Sequence, residues 1–156
     1  LSSGAFQPVL DDAGISKADA VKRIIMTTGK IHYDLAAARE QSGDTTTALV
    51  RIEMLYPFPT AEIEAVLAKY PQAREIVWTQ EEPRNMGAWS FMEPRLRELA
   101  GDVTIRYSGR PVRASPAEGY QNVHEEEQKR IVADALRATS PAETKSSSGK
   151  AAKSRK

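Results

Sequence analysis

Gln80-Glu81-Glu82-Pro83-Arg84-Asn85-Met86-Gly87-Ala88-Trp89 is the stretch from which the fold can be read. Immediately before it, Glu75-Ile76-Val77-Trp78-Thr79 is a β-branched and aromatic run of the kind that forms a buried strand. After it, Trp89, Met92, Leu96 and Leu99 are spaced three, four and three, which is one face of a helix. The acidic segment between them therefore reads as a strand-to-helix turn at the carboxyl end of a strand, where open α/β sheets bind ligands and partners. Pro83 fixes one backbone angle and removes a donor. Gly87 permits a positive φ or a close backbone approach. Pro94 fits only a first turn or a kink, so the regular helix is expected to begin late, near Phe91.

Working outward, the same alternation recurs. Residues 1–20 read as an irregular lead-in, with Phe6, Val9 and Leu10 available for local packing and Asp11-Asp12 and Gly14 as a turn. Residues 21–26 are the first strand. Residues 31–41 carry a helical stripe of Ile31, Leu35 and Ala38, and Gly43 supplies a C-terminal stop. Residues 46–55 are the second strand. Tyr56-Pro57-Phe58-Pro59 breaks it, and Thr60 is the expected N-cap of a helix bearing Ile63, Val66, Leu67 and Tyr70, ended by Pro71. Residues 75–79 and 103–107 are the third and fourth strands. A loop over residues 108–120 leads to a last helix with an Asn122–Glu125 capping box and an apolar end of Ile131, Val132, Ala135 and Leu136. Strand and helix alternate four times. The expected fold class is α/β, a mostly parallel sheet with helices on both faces, joined by right-handed crossovers.

The chain of 156 residues is long enough for one domain with a real core. It has no cysteine, which excludes disulfides and thiolate metal sites. No apolar run approaches the roughly 20 residues of a membrane helix. Leu1-Ser2-Ser3-Gly4 has neither an initiator Met nor a signal pattern, so the sequence reads as a C-terminal piece of something longer. Its net charge of +1 conceals a split: residues 139–156 hold five basic and one acidic residue, a tail of +4 that leaves −3 on the rest. That tail is Ser-, Lys- and Ala-rich and is expected to be disordered, with no nucleic-acid partner implied for the folded part. The domain is accordingly expected over residues 21–138.

Candidates for chemistry are sparse. Thr28-Gly29-Lys30 follows a strand, but Ile24 stands where a phosphate loop needs its first glycine, so a tight turn is the better reading. Glu81 and Glu82 are adjacent, and neighbours on extended backbone point apart, which favours structural hydrogen bonds or an arginine partner over an acid/base pair. His32 and His124 have no second ligand or nucleophile nearby in sequence. Arg106, Arg110 and Arg113 surround the fourth strand and offer either anion contacts or partners for Glu81 and Glu82. No self-contained catalytic set emerges, and neither a catalytic, a cofactor-binding nor a metal residue is assigned.

Four stretches carry a resemblance. Thr28-Gly29-Lys30-Ile31-His32-Tyr33-Asp34-Leu35 is similar to Ser-Gly-Lys-x-Tyr-Tyr-Asp-Leu, and Val50-Arg51-Ile52-Glu53-Met54-Leu55-Tyr56-Pro57-Phe58-Pro59 to Val-Arg-Ile-Glu-Gln-Leu-Tyr-Pro-Phe-Pro. The opening stretch resembles Gln-Glu-Glu-Pro-x-Asn-x-Gly-Ala-Trp, and the run from Tyr107 to Tyr120 resembles Tyr-x-Gly-Arg-Pro-x-x-Ala-Ser-Pro-Ala-x-Gly-Tyr. In this order they resemble the C-terminal region of the 2-oxoglutarate dehydrogenase family over roughly residues 5–138.

The resemblance implies a transketolase-type C-terminal domain. Its parent enzyme decarboxylates 2-oxoglutarate on thiamine diphosphate and Mg²⁺, bound outside this segment, and passes succinyl to a lipoyl-bearing succinyltransferase component. It implies a homodimer, a tricarboxylic acid cycle enzyme that is cytoplasmic if bacterial, and no nucleic-acid or membrane partner. Gln80, Glu81, Glu82, Asn85, Gly87 and Trp89 become a structural or interface turn, and Arg110 and Arg113 candidate anion contacts. Two alternatives stay open: the 2-oxoadipate dehydrogenase relative, and a stand-alone interaction module of the same fold. A Gly-Asp-Gly thiamine motif upstream of Leu1 would separate enzyme from module. One family feature is absent. Actinobacterial members have an acetyl-CoA activator site whose lysine, serine, glutamine and arginine pair align with Ala5, Pro8, Met54, Ala61 and Glu62.

Overall fold

The computed structural model describes residues 4–114 and 121–137, the side chains at 121–123 excepted. The expected Asn122–Glu125 capping box, the loop over 115–120 and the basic tail lie outside the described residues. The elements are β1 (Val9–Leu10), β2 (Arg23–Thr27), α1 (Ile31–Ser42), β3 (Thr47–Ile52), α2 (Thr60–Lys69), β4 (Glu75–Pro83), α3 (Trp89–Ala100), β5 (Thr104–Arg110) and α4 (Gln121–Leu136). They form a sheet of order β1-β3-β2-β4-β5. The strands β2 to β5 are parallel, and β1 is antiparallel at the edge.

The period of two along each strand divides the core. Ile24, Met26, Ala48, Val50, Ile76 and Trp78 point to one face, where Ile63 and Val66 of α2 and Trp89, Met92 and Leu96 of α3 cover them. Ile25, Leu49 and Val77 point to the other, against Ile31 and Leu35 of α1 and Ile131, Val132 and Ala135 of α4. Because α1 and α3 leave adjacent strands β2 and β4 toward opposite faces, the topological switch point lies between those two strands. Helix α1 ends as its sequence predicts: Gly43 is left-handed at φ 66 and its amide donates to the carbonyls of Arg39 and Glu40.

Several expectations need correction. The lead-in is not wholly irregular. Val9 and Leu10 pair with Ile52 and Arg51, and the amides of Glu53 and Met54 donate to the Pro8 carbonyl at 2.8 and 3.1 Å. The buried Asp12 carboxylate then accepts from the Leu49 and Gly14 amides, each at 2.8 Å, and from Arg39 of α1. Burial alone would raise the Asp12 pKa, but these bonds together hold it below the ordinary carboxylate value. Thr60 is the first residue of α2; Pro59 occupies the N-cap position without a side-chain cap.

Strand β4 runs to Pro83 and β5 to Arg110, both further than hydrophobic patterning implies. Helix α3 starts at Trp89, not near Phe91, and carries Pro94 in its second turn. A proline there removes one intrahelical donor. Its neighbour Arg95 donates from Nη1 to the Phe91 carbonyl at 2.7 Å and lies over the Phe91 ring, which secures the same turn from outside.

Candidate functional site

The stretch that organises the sequence is half strand and half turn, and one side chain holds it. Gln80 is 1% exposed at the carboxyl end of β4. Its Oε1 accepts from the indole Nε1 of Trp78 at 2.9 Å and from the backbone amide of Trp89 at 3.0 Å. Its Nε2 faces the carbonyls of Met86, Pro83 and Glu82 at 2.8, 3.2 and 3.3 Å. The amide thus closes residues 80–89 into a loop and satisfies an amide at the start of α3 that has no intrahelical partner. Gly87 lies at φ 65, and a Cβ there would stand 3.0 Å from Gln80 Nε2 and 3.1 Å from Glu82 Cβ. Both the backbone conformation and the contact with Gln80 require glycine.

A second layer braces the turn from β5. The Asn85 Nδ2 donates to the Arg113 carbonyl at 2.9 Å, and the Arg113 amide donates back to Asn85 Oδ1 at 3.1 Å. The Arg84 amide donates to the Arg110 carbonyl at 3.0 Å. Trp89, 5% exposed, meets Tyr107 with ring centroids 5.1 Å apart, and the Arg84 guanidinium lies over both rings at 5.8 and 5.5 Å. The Tyr107 hydroxyl reaches the Glu82 and Arg110 carbonyls at 3.1 and 3.0 Å. Burial pushes that phenol up to about 12, so it remains a protonated donor.

The two glutamates diverge, as extended backbone requires. Glu81 Oε1 faces Lys30 Nζ at 3.5 Å, which spans the switch point between β2 and β4. Glu82 is exposed beside Gly87. The expected arginine partners are elsewhere. Arg106 binds Glu75 Oε1 at 2.9 Å and Asp134 Oδ2 at 3.0 Å at the opposite edge of the sheet, where Arg23 joins the same Glu75 at 2.6 Å. Arg110 is 3% exposed, and its Nη2 donates to His124 Nδ1 of α4 at 2.7 Å. Because guanidinium only donates, that histidine nitrogen is the acceptor and the ring proton sits on Nε2. His32 lies under the lead-in, where burial first and the Arg51 charge second hold its pKa below the ordinary value.

Of the residues that sequence reasoning placed in one turn, Gln80, Glu81 and Glu82 lie in β4, Asn85 and Gly87 in the turn itself, and Trp89 opens α3. That reasoning did not find the Asp12–Arg39 lock or the Glu75 network, whose partners lie 27, 52 and 31 residues apart. Nor did it show that Gln80 is the centre; the signal available was an amide side chain two residues after one tryptophan and nine before the next.

A thiamine diphosphate site would need cations and oxygen ligands free to converge on a diphosphate and its metal. Among the described residues at this edge, Lys30 pairs with Glu81, Arg51 with Glu53 and Tyr33, and Arg110 with His124. These residues do not fit that cofactor.

A mostly parallel sheet wound on both faces from β2, with an edge strand reversed beside it, is the architecture of transketolase-type C-terminal domains. The chain belongs to the 2-oxoglutarate dehydrogenase C-terminal family, whose profile matches residues 1–136. It is 48% identical over 138 residues to the 2-oxoglutarate dehydrogenase E1 component of Geobacillus sp. strain WCH70, which covers 86% of this chain and 14% of the relative. For the protein of the same name from Geobacillus kaustophilus the identity is 51% over 139 residues, with coverages of 85% and 14%. For Bacillus licheniformis it is 46% over 140 residues, with 87% and 15%. The chain therefore spans about one seventh of the length of the curated relatives it matches.

Proposed function

We propose that this chain is the C-terminal, non-catalytic domain of a thiamine-dependent 2-oxoglutarate dehydrogenase, and that it supports the fold and dimer assembly of that enzyme. The observation that carries the reading is the closure of the family's acidic turn on itself. Both acceptor positions of Gln80 Oε1 and the donors of Nε2 are used by the protein's own groups, so the turn is architecture and not a substrate pocket. Thiamine diphosphate and Mg²⁺ then belong to the preceding part of the longer polypeptide, together with the residues that decarboxylate the 2-oxo acid. The lipoyl-bearing succinyltransferase component is the acceptor of its product. Arg110 and Arg113 are the two candidate anion contacts of the resemblance; the Arg113 side chain lies half-buried beside the turn, and the guanidinium of Arg110 is buried against His124. The domain proper is residues 21–138 with the lead-in locked onto it by Asp12, and the intact enzyme is cytoplasmic in a bacterium. Among the described residues no helix is long and apolar enough to cross a membrane.

The test compares two purified proteins. The full-length polypeptide releases CO₂ from 2-oxoglutarate only with thiamine diphosphate and Mg²⁺ present, and residues 1–156 alone release none. Thiamine-dependent CO₂ release by the 156-residue chain would overturn the reading. Preference of the full-length enzyme for 2-oxoadipate would reassign the substrate and leave the domain's role intact.

A further inference from the structure

Beneath the lead-in is a cavity of about 290 Å³, walled by Leu10, Asp12 and Gly14 of the lead-in, His32 and Arg39 of α1, and Arg51 of β3. The lead-in is seated by a few bonds. Val9 and Leu10 pair with Ile52 and Arg51, the Pro8 carbonyl accepts from the Glu53 and Met54 amides, and Asp12 accepts from the Leu49 amide. Into this seat α1 brings a histidine. His32 Nδ1 is buried and meets no hydrogen-bond partner among the described residues. Its ring stands edge-on to that of Tyr33, with centroids 5.6 Å apart. Charged groups face it from each element around the cavity: Asp12 from the lead-in, Arg39 from α1, and Arg51 and Glu53 from β3. Asp11, which also lines the cavity, is engaged by Lys69 and Tyr70.

A neutral imidazole tolerates this place, because one of its ring nitrogens carries no proton to satisfy. An imidazolium does not. Both nitrogens then carry N–H, and Nδ1–H would be a buried, charged donor without an acceptor, beside two guanidinium groups. Asp12 and Glu53 oppose the two arginines, so burial is the largest influence on the ring, and it holds the pKa below the ordinary value. Part of that burial is supplied by residues 10–14. When they lift away, the ring is hydrated and titrates as a free histidine. We propose that the lead-in over residues 8–14 is a proton-released strap: protonation of His32 loosens its seat on α1 and β3 while the core of the sheet stays folded. The closed strap disfavours the proton, so closure is complete above the open-state value of about 6.5 and weakens as pH falls below it. Asp12 stays ionised throughout this window, since its own pKa lies below the ordinary carboxylate value. The sensor is this chain's own: in Thr28-Gly29-Lys30-Ile31-His32-Tyr33, the motif it resembles has tyrosine where His32 stands.

Hydrogen exchange of the full-length polypeptide tests the strap, read peptide by peptide and corrected for the intrinsic exchange rate at each pH. The reporters are the amides of Leu49, Glu53 and Met54, which bond to Asp12 and Pro8; Ile25 and Val77 in the core are the controls. Between pH about 7.5 and about 5.5 the reporters are expected to lose protection at least about twofold and at most about tenfold, the ceiling set by an open-state histidine of pKa about 6.5, while the controls hold. In His32→Tyr and in His32→Phe the reporters are expected to keep their protection over the same range. A smaller loss in the wild type, or an equal loss in the variants, would overturn the proposal. An equal loss in reporters and controls would assign the acid effect to global unfolding and overturn it too. If neither variant folds, the wild-type contrast between reporters and controls still decides. The readout is independent of turnover, so its failure leaves the enzymatic reading standing.

Discussion

Replacing Gln80 by leucine isolates the closure of the acidic turn. Leucine fills a similar volume and keeps the strand, but it leaves the Trp78 Nε1–H and the Trp89 amide, both buried, without an acceptor. An unsatisfied buried donor costs about 1–3 kcal/mol, so two cost about 2–6 kcal/mol. That is a large part of the 5–15 kcal/mol that holds a typical domain together. Urea unfolding followed by tryptophan fluorescence reads the loss directly. If the turn were only a solvated cap, the change would stay within about 0.5 kcal/mol. A loss below about 1 kcal/mol would therefore refute the reasoning. Glutamate at the same position gives a second, signed check. It retains one acceptor oxygen but turns the other toward the carbonyls that Nε2 now meets at 2.8–3.3 Å. Only the protonated acid can donate there, so the folded-state pKa must rise above the unfolded value of about 4.3. Gln80→Glu should be nearest to wild type below that pH and lose stability as pH climbs through the raised folded value.

Trp89→Ala removes a side chain that is 5% exposed and should cost about 3–5 kcal/mol in the same urea melts; a loss below about 1 kcal/mol would contradict its burial. Asp12 titrates below 3.8 in the folded protein, so its contribution is complete above that pH and fades as pH falls through the folded value. The stability gap between Asp12→Asn and wild type should shrink in acid, and a gap that widened there would reverse the assignment. Met54 and Pro8 meet through a 3.1 Å hydrogen bond, but the aligned set Ala5, Pro8, Met54, Ala61 and Glu62 presents no cation to an acyl-CoA phosphate. With each lost charged hydrogen bond worth about 1.5–3 kcal/mol, acetyl-CoA should neither bind this site nor alter turnover of the full-length enzyme; saturable micromolar binding abolished by changes around Met54 and Ala61 would show otherwise.

Hydrophobic periodicity located the parallel strands because their burial on two faces makes continuous apolar runs, as in Ile24-Ile25-Met26 and Ile76-Val77-Trp78. It stopped short at Thr79 and Tyr107. The next residues of β4 and β5, such as Gln80 and Ser108, are polar and buried all the same, held by hydrogen bonds that no residue scale anticipates. Pro94 misled in the opposite direction, since a rule about backbone donors placed the start of α3 too late. Asp12 read as a turn residue because its partners Arg39 and Leu49 come near only after β3 is in place. The acidic turn was visible as a motif, while its hub was not: that Gln80 reads two tryptophans and three carbonyls is a fact of geometry.

The division of the sheet into two covered faces has a consequence for how substitutions combine. Trp78 and Val77 are neighbours in sequence but touch different helices, so each belongs to a separate jigsaw. Changes on the α2–α3 side should add to changes on the α1–α4 side within about 0.3–0.5 kcal/mol, while pairs within one side should couple more strongly. Lineages can therefore repack one layer without renegotiating the other, and divergence should accumulate in blocks that follow the faces rather than the order of the chain.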